Sequence, residues 1–239
     1  MKKKGVVITM EKRWFVTGDC HGSLIKILQF IWKFDLGSES NIIVCGDMGI
    51  FWDKSQKDAK ASIANYERYC NGVNLYWIDG NHENFDIINS WETKDIYNNS
   101  EHIHYCPRGT VLNINGKKGL CLGGADSIDR AWRIEGIGWW PQEQITEKDI
   151  KNISGKYEYV FTHCCPYSVF NFNRGFLCTH GGELRDITHK SEEMLEQLRN
   201  NITFNKWYFG HYHIDLPLSE NFICLFNNFI ELGDNYKNE

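Results

Sequence analysis

Apolar residues in this chain come in short, nearly unbroken runs, and each run stops at a cluster of glycine, aspartate, asparagine or histidine. Trp14-Phe15-Val16-Thr17 leads into Gly18-Asp19-Cys20-His21-Gly22, and Asn41-Ile42-Ile43-Val44-Cys45 leads into Gly46-Asp47. Leu75-Tyr76-Trp77-Ile78 leads into Asp79-Gly80-Asn81-His82-Glu83. Tyr157-Glu158-Tyr159-Val160-Phe161 leads into Thr162-His163, and Lys206-Trp207-Tyr208-Phe209 into Gly210-His211-Tyr212-His213. Runs of this length, bounded by turn formers, predict strands buried on both faces. Between them, Ser23 to Phe34 places Leu24, Ile27, Leu28 and Ile31 on one stripe, which predicts an amphipathic helix. Segments 55–70 and 191–200 repeat that spacing, the second reading as a helix with a solvated face. Tyr105 to Gly124 instead predicts successive strands with a turn at Asn115-Gly116. Strand, polar loop, helix and strand in alternation define an α/β class, expected here as two β-sheets with helices outside. Reactive groups in open α/β sheets gather at the carboxyl ends of strands, where all five polar clusters fall.

Length and composition narrow the function. The 239 residues carry no repeat, low-complexity tract or Pro/Ser linker, so one domain over residues 1–239 is expected. Apolar residues at 42% and charged residues at 24% exclude a disordered or fibrous chain. The net charge of −5 weighs against extended nucleic acid as a partner, because neutralising many phosphates needs excess cations. No stretch approaches the apolar length of a membrane helix, and the run after Lys2-Lys3-Lys4 is too short for a signal peptide. Nine cysteines without a C-x-x-C pair fit reduced thiols, so a cytoplasmic location is expected. Aromatics reach 14%, and burial is the default for them, with Trp139-Trp140 expected in core or lid packing.

The polar clusters are rich in metal-ligand chemistry. In order they offer Asp19, His21, Asp47, Asn81, His82, His163, His211 and His213. Mixed imidazole and carboxylate donors suit manganese, iron, zinc or nickel better than calcium or magnesium. Eight groups exceed the needs of one ion, and two ions sharing a carboxylate would use them efficiently. Two divalent cations against Asp19 and Asp47 leave a positive remainder that complements a phosphate.

Five elements in this order resemble the calcineurin-like metallophosphoesterase superfamily, whose pattern is D-x-H, G-D, G-N-H-[DE], H and G-H-x-H. They span residues 18 to 213, most of the chain. The resemblance implies a four-layer α-β-β-α sandwich of two mixed β-sheets flanked by helices. It implies a first metal on Asp19, His21, Asp47 and His213. A second would sit on Asp47, Asn81, His163 and His211, with Asp47 bridging and manganese foremost among the candidates. A metal-bound hydroxide would attack phosphorus in line, with Asp47 and His82 as the catalytic pair. His82 would bind phosphate beside Asn81 and protonate the leaving oxygen, oriented by Glu83 or Asp53.

Departures from the family pattern bear on the substrate. The Ser/Thr protein-phosphatase branch carries Asp-Arg-Gly after its G-D element and an arginine before its G-N-H-E. Here the corresponding stretches are Gly46-Asp47-Met48-Gly49 and Asp79-Gly80-Asn81-His82-Glu83, with neither arginine. The segment Gly123 to Arg133 resembles small bacterial and phage members, and Arg130 and Arg133 are candidates for the lost phosphate contacts. Each is equally readable as a partner of Asp126, Asp129 or Glu135. A small phosphomonoester or phosphodiester, a nucleotide among them, is therefore the favoured substrate. A protein phosphatase, a nuclease and a non-catalytic binding module are the rivals. His102, His104, His180 and His189 are expected to be structural, and Cys164-Cys165 to be inert buried thiols.

Overall fold

A computed structural model describes residues 11–52, 57–90, 100–177 and 189–233. Three of the apolar runs form β1 (Arg13–Thr17), β2 (Ser40–Val44) and β3 (Asn74–Trp77), which pair in parallel and are joined by a fourth parallel strand, β4 (Ile103–Tyr105), that no predicted run covers. Their register aligns Phe15, Ile42, Leu75 and Ile103 across the sheet. Thr110–Ile114 (β5) and Lys117–Leu122 (β6) form the expected hairpin. Asn115 and Gly116 turn it with φ of 50° and 85°, the left-handed pair that a two-residue turn between twisted strands requires. β6 continues in parallel into β7 (Gly155–Thr162) and β8 (Ile202–Phe209), then β10 (Phe222–Cys224), with β9 (Leu216–Pro217) antiparallel at the edge. β11 (Ile230–Glu231) crosses back to pair antiparallel with β1. The sheets thus have five strands, ordered β11-β1-β2-β3-β4, and six, ordered β5-β6-β7-β8-β10-β9.

Period-two alternation assigns the side chains to three cores. Trp14, Val16 and Ile43 of the first sheet meet Tyr159, Phe161 and Tyr208 of the second. On the outer face of the first sheet, Phe15, Ile42 and Val44 pack on α1 (Ile25–Lys33) and α2 (Lys57–Tyr69) through Ile27, Ile31 and Tyr66. Behind the second sheet, Val160, Trp207 and Phe209 cluster with Leu195 and Leu198. Those leucines belong to the helix Lys190–Asn201, so the segment expected to be solvated buries one face and exposes the other. The result is the four-layer α-β-β-α sandwich of two mixed sheets. Each fully buried Val, Ile or Leu side chain contributes roughly 1.5–3 kcal/mol. β8 starts earlier than its apolar run, because Thr203 and Asn205 alternate outward before Trp207 is reached. No described helix is long and apolar enough to cross a membrane.

Candidate metal centre

All five polar clusters follow strand carboxyl ends and meet where the two sheets adjoin. Asp19 and His21 follow β1, Asp47 follows β2, and Asn81 and His82 follow β3. His163 follows β7, and His211 and His213 follow β8. Asp19, His21 and His213 bring their donor atoms within 4.8 Å of one another, as do Asp19, Asp47 and His163, and also His21, Asp47 and His82. Nε2 of His21 and Nε2 of His213 are 2.8 Å apart, and they lie 3.5 and 3.2 Å from Asp19 Oδ2. Asp47 Oδ1 is 3.2 Å from His163 Nε2, while its Oδ2 lies 3.9 Å from His21 Nδ1. Asp47 therefore faces both sets. Asn81 Oδ1 is 3.2 Å from His163 Nε2. His163 Nδ1 donates to the Cys45 carbonyl at 2.8 Å, which leaves Nε2 as the atom aimed inward. The His211 ring lies 4.9 Å from that of His163, outside the three converging groups.

The local backbone explains the motif glycines. A Cβ at Gly80 would collide with Asp47 Oδ1, one at Gly210 with Asp19 Oδ1, and one at Gly46 with the His163 ring. Each glycine lets one donor loop approach the next. The candidate donors themselves are strained: His21, Asp47, His211 and His213 hold φ of 47°, 46°, 69° and 53°. Such left-handed non-glycine residues cost on the order of 1–3 kcal/mol each and persist where the surroundings dictate them. Lys26 secures the first loop by donating to the carbonyls of Gly18 and Phe226 at 3.0 and 2.6 Å, and to that of Asp19.

Electrostatics follow from buried acids facing buried imidazoles. Burial opposes ionisation of Asp19 and Asp47. It is outweighed by the neighbouring imidazoles of His21 and His213 at Asp19 and by the field of His163 at Asp47, so both carboxyls lie below their usual range. Burial pushes His163 down, but Asp47 overrides it and holds the imidazole at about 10. Burial and then the charge of His163 push His211 down to about 3, which keeps its imidazole neutral. Burial also lowers His82. Asp19 is 2% exposed, yet its Oδ2 has no hydrogen-bond partner. That orphaned oxygen, two imidazole nitrogens beside it and the mixed nitrogen and oxygen donor set fit a divalent cation.

Glu83 is fully buried and accepts the N–H groups of Met48 at 2.7 Å and Gly49 at 3.3 Å. Those bonds brace the loop that follows Asp47, and no bond from Glu83 to the His82 side chain is among those described. Asp53 and His180 lie outside the described residues. His82 Nε2 faces Arg133 Nη2 at 3.4 Å, and its ring is 5.8 Å from that of Trp52. Arg133 also pairs with Asp129 at 2.7 Å, so one guanidinium meets both groups. Arg130 is half-buried on the 3-10 turn Arg130–Trp132. His102 pairs with Glu67 at 2.6 Å, His104 with Asn74 at 3.2 Å and His189 with Glu192 at 3.7 Å, all structural contacts. Cys164 and Cys165 are fully buried, and burial raises both thiols. Trp140 is buried edge-on against Trp52, as packing requires.

Two buried groups escaped the sequence reading. Arg108 binds Asp79 through Nε at 2.9 Å and Nη2 at 2.7 Å and also reaches the carbonyls of Gln142, Glu143 and Gln144. Glu143 is fully buried and holds Ser127, which in turn receives Asn81 Nδ2. No motif marks either pair, since each joins an ordinary loop residue to a distant one.

Burial raises Glu143 to about 7 from 4.5, against the hydrogen bonds from Ser127. The folded state therefore holds this proton more tightly. The stability it contributes is fully present below pH 4.5 and is lost as pH rises through about 7. Denaturant unfolding of wild type and Glu143→Gln from pH 5 to pH 8 should show wild type losing about 2.5 kcal/mol relative to the variant. A pH-independent difference would refute that account.

The fold and the convergent acid, imidazole and amide donors define a metal-dependent phosphoesterase. The family model for calcineurin-like phosphoesterases matches residues 13–215, and the chain belongs to that family. Members act as hydrolases on phosphate esters, and these clusters are able to hold the metal ions on which the family depends. A Thermus thermophilus protein, TT1561, shares the fold at TM-score 0.50 and 12% identity, over 90% of this chain and 89% of its own. A protein serine/threonine phosphatase from Saccharomyces cerevisiae gives a TM-score of 0.36 at 14% identity, over 91% of this chain and 68% of its own. A comparison with curated proteins gives no match.

Proposed function

We propose that this chain hydrolyses a small phosphomonoester or phosphodiester, a nucleotide among them, at a centre of two divalent cations. Asp19, His21, Asp47 and His213 hold one cation, and Asp47, Asn81, His163 and His211 hold the other, with manganese the preferred metal. The observation that carries this reading is the position of Asp47, 3.2 Å from His163 and 3.9 Å from His21, between donors of both sheets. Cations there supply charge for the phosphate oxygens and a water of lowered pKa. His82 binds phosphate and protonates the leaving oxygen; its lowered pKa makes it a willing proton donor once charged. Asn81, Arg130 and Arg133 contact the phosphate, and the nearness of Arg133 to His82 supports that role for it. The Trp52 ring beside His82 supports a flat leaving group such as a nucleobase. The eight described cysteines, all free, support a reducing compartment such as the cytoplasm.

The test loads the chain with manganese and assays aryl phosphate mono- and diesters, followed by nucleotide and phosphopeptide panels. His82→Ala should lose about 10²–10⁴-fold in turnover while retaining its metal. Failure of wild type to turn over any ester with any divalent metal, or a variant that matches wild type, would sink the reading. Elemental analysis should give two ions per chain, and a metal-free chain would instead favour a binding module.

A further inference from the structure

Asn81 presents an amide to the centre, and an amide has two unlike ends. Its oxygen ligates a cation and its NH2 repels one. The choice between them is made by the groups behind it. Asn81 Nδ2 donates to Ser127 Oγ at 3.2 Å. The Ser127 hydroxyl donates to Glu143 Oε2 at 2.9 Å, and the Ser127 backbone N–H donates to Glu143 Oε1 at 2.7 Å. All three residues are at most 4% exposed, so water does not offer substitutes.

The directions of these bonds are linked. Once ionised, Glu143 only accepts, so the Ser127 hydroxyl donates its hydrogen bond to it. Only lone pairs of Oγ then remain for Asn81, and only the NH2 end of the amide satisfies them. Asn81 Oδ1 is thereby turned to the side of His163 Nε2, 3.2 Å away. We propose that Glu143, acting through Ser127, is a positioning residue that fixes the amide of Asn81 with its oxygen toward the cation centre. This inference rests on Asn81 being a metal donor, as in the function proposed above. It adds the loop from Ser127 to Glu143, reached from the end of β6, to the machinery that sets metal affinity.

Glu143→Gln isolates the effect, since it keeps shape and reverses polarity. The introduced amide retains the Ser127 N–H with its oxygen and donates its own N–H to Ser127 Oγ. The hydroxyl proton is released and turns to Asn81, where it selects Oδ1 and leaves NH2 facing the centre. Ser127→Ala removes the link and leaves the amide unheld. Asn81→Asp provides the control, because a carboxylate presents oxygen at either end and needs no orientation.

The readout is manganese binding to the metal-free chain by titration calorimetry at pH 8, where the Glu143 carboxyl is ionised. Glu143→Gln should weaken one site by about 10–100-fold and leave the other unchanged. Ser127→Ala should weaken the same site. In the Asn81→Asp background, Glu143→Gln should cost less than about threefold, whereas mere damage to the loop would cost the same factor in both backgrounds. Wild-type affinity at both sites in Glu143→Gln, or an equal loss in the Asn81→Asp background, would overturn the positioning role alone. A wild-type chain that binds no divalent cation would overturn it together with the functional reading beneath it.

Discussion

Asp47→Asn should lower phosphoester turnover by on the order of 10³-fold or more, equivalent to about 4 kcal/mol of transition-state stabilisation. The substitution keeps shape and removes charge. In the native chain Asp47 Oδ1 accepts the His82 N–H at 2.8 Å and faces His163 at 3.2 Å, while Oδ2 faces His21 at 3.9 Å. An amide in that position must turn its NH2 toward either a backbone N–H or an imidazole nitrogen aimed inward. One shared anion is lost to two sets of donors at once, so metal content after dialysis should fall below that of wild type. Elemental analysis and steady-state kinetics on the same preparation check this, with a circular dichroism melt to verify the fold. Unchanged metal content and turnover would remove Asp47 from the centre of the site.

Arg108→Ala should destabilise the fold by about 3–5 kcal/mol, the cost of leaving a buried charge without its partner. Asp79 is 0% exposed and would retain only the Tyr105 hydroxyl, at 2.9 Å, among the side-chain donors described for it. The carbonyls of Gln142, Glu143 and Gln144 would lose donors in the same step. Arg108→Lys should recover little, because an ammonium cannot reproduce a planar fork that spans a carboxylate and three carbonyls. Urea unfolding measures the difference, and a loss under about 1 kcal/mol would show that the pair is dispensable. Since Glu143 hangs from this bracket, Arg108→Ala also loosens the support of Asn81.

The sequence exposes those parts of the molecule that obey a period or a motif. Leu24, Ile27, Leu28 and Ile31 recur at helical spacing, and all four are buried on the face of α1 or at its cap. Asn115-Gly116 between apolar runs marks its own turn. The donor clusters are legible because each needs a fixed residue type directly after a strand. Arg108 with Asp79, 29 residues apart, and Ser127 with Glu143, 16 apart, follow no such rule. They lie in irregular loops whose paths are set by packing, and charged or hydroxylic residues in loops are commonplace. The adjacency of Glu83 to His82 likewise does not reveal its partners, the N–H groups of Met48 and Gly49, 35 and 34 residues away. The two-residue strands β9 and β11 carry too few side chains to show any alternation.

The donors hang from both sheets, and that has a bearing on synthesis. A growing chain that has reached β4 already carries Asp19, His21, Asp47, Asn81 and His82, but it lacks everything supplied by β7 and β8. The full set proposed above is present only once His213 has been made, and the first sheet itself waits for Ile230–Glu231 to dock beside β1. On the proposed reading, hydrolytic competence therefore waits until β8 and the loop after it have been made, and a chain stopped before them should not turn over phosphoester whatever ions surround it.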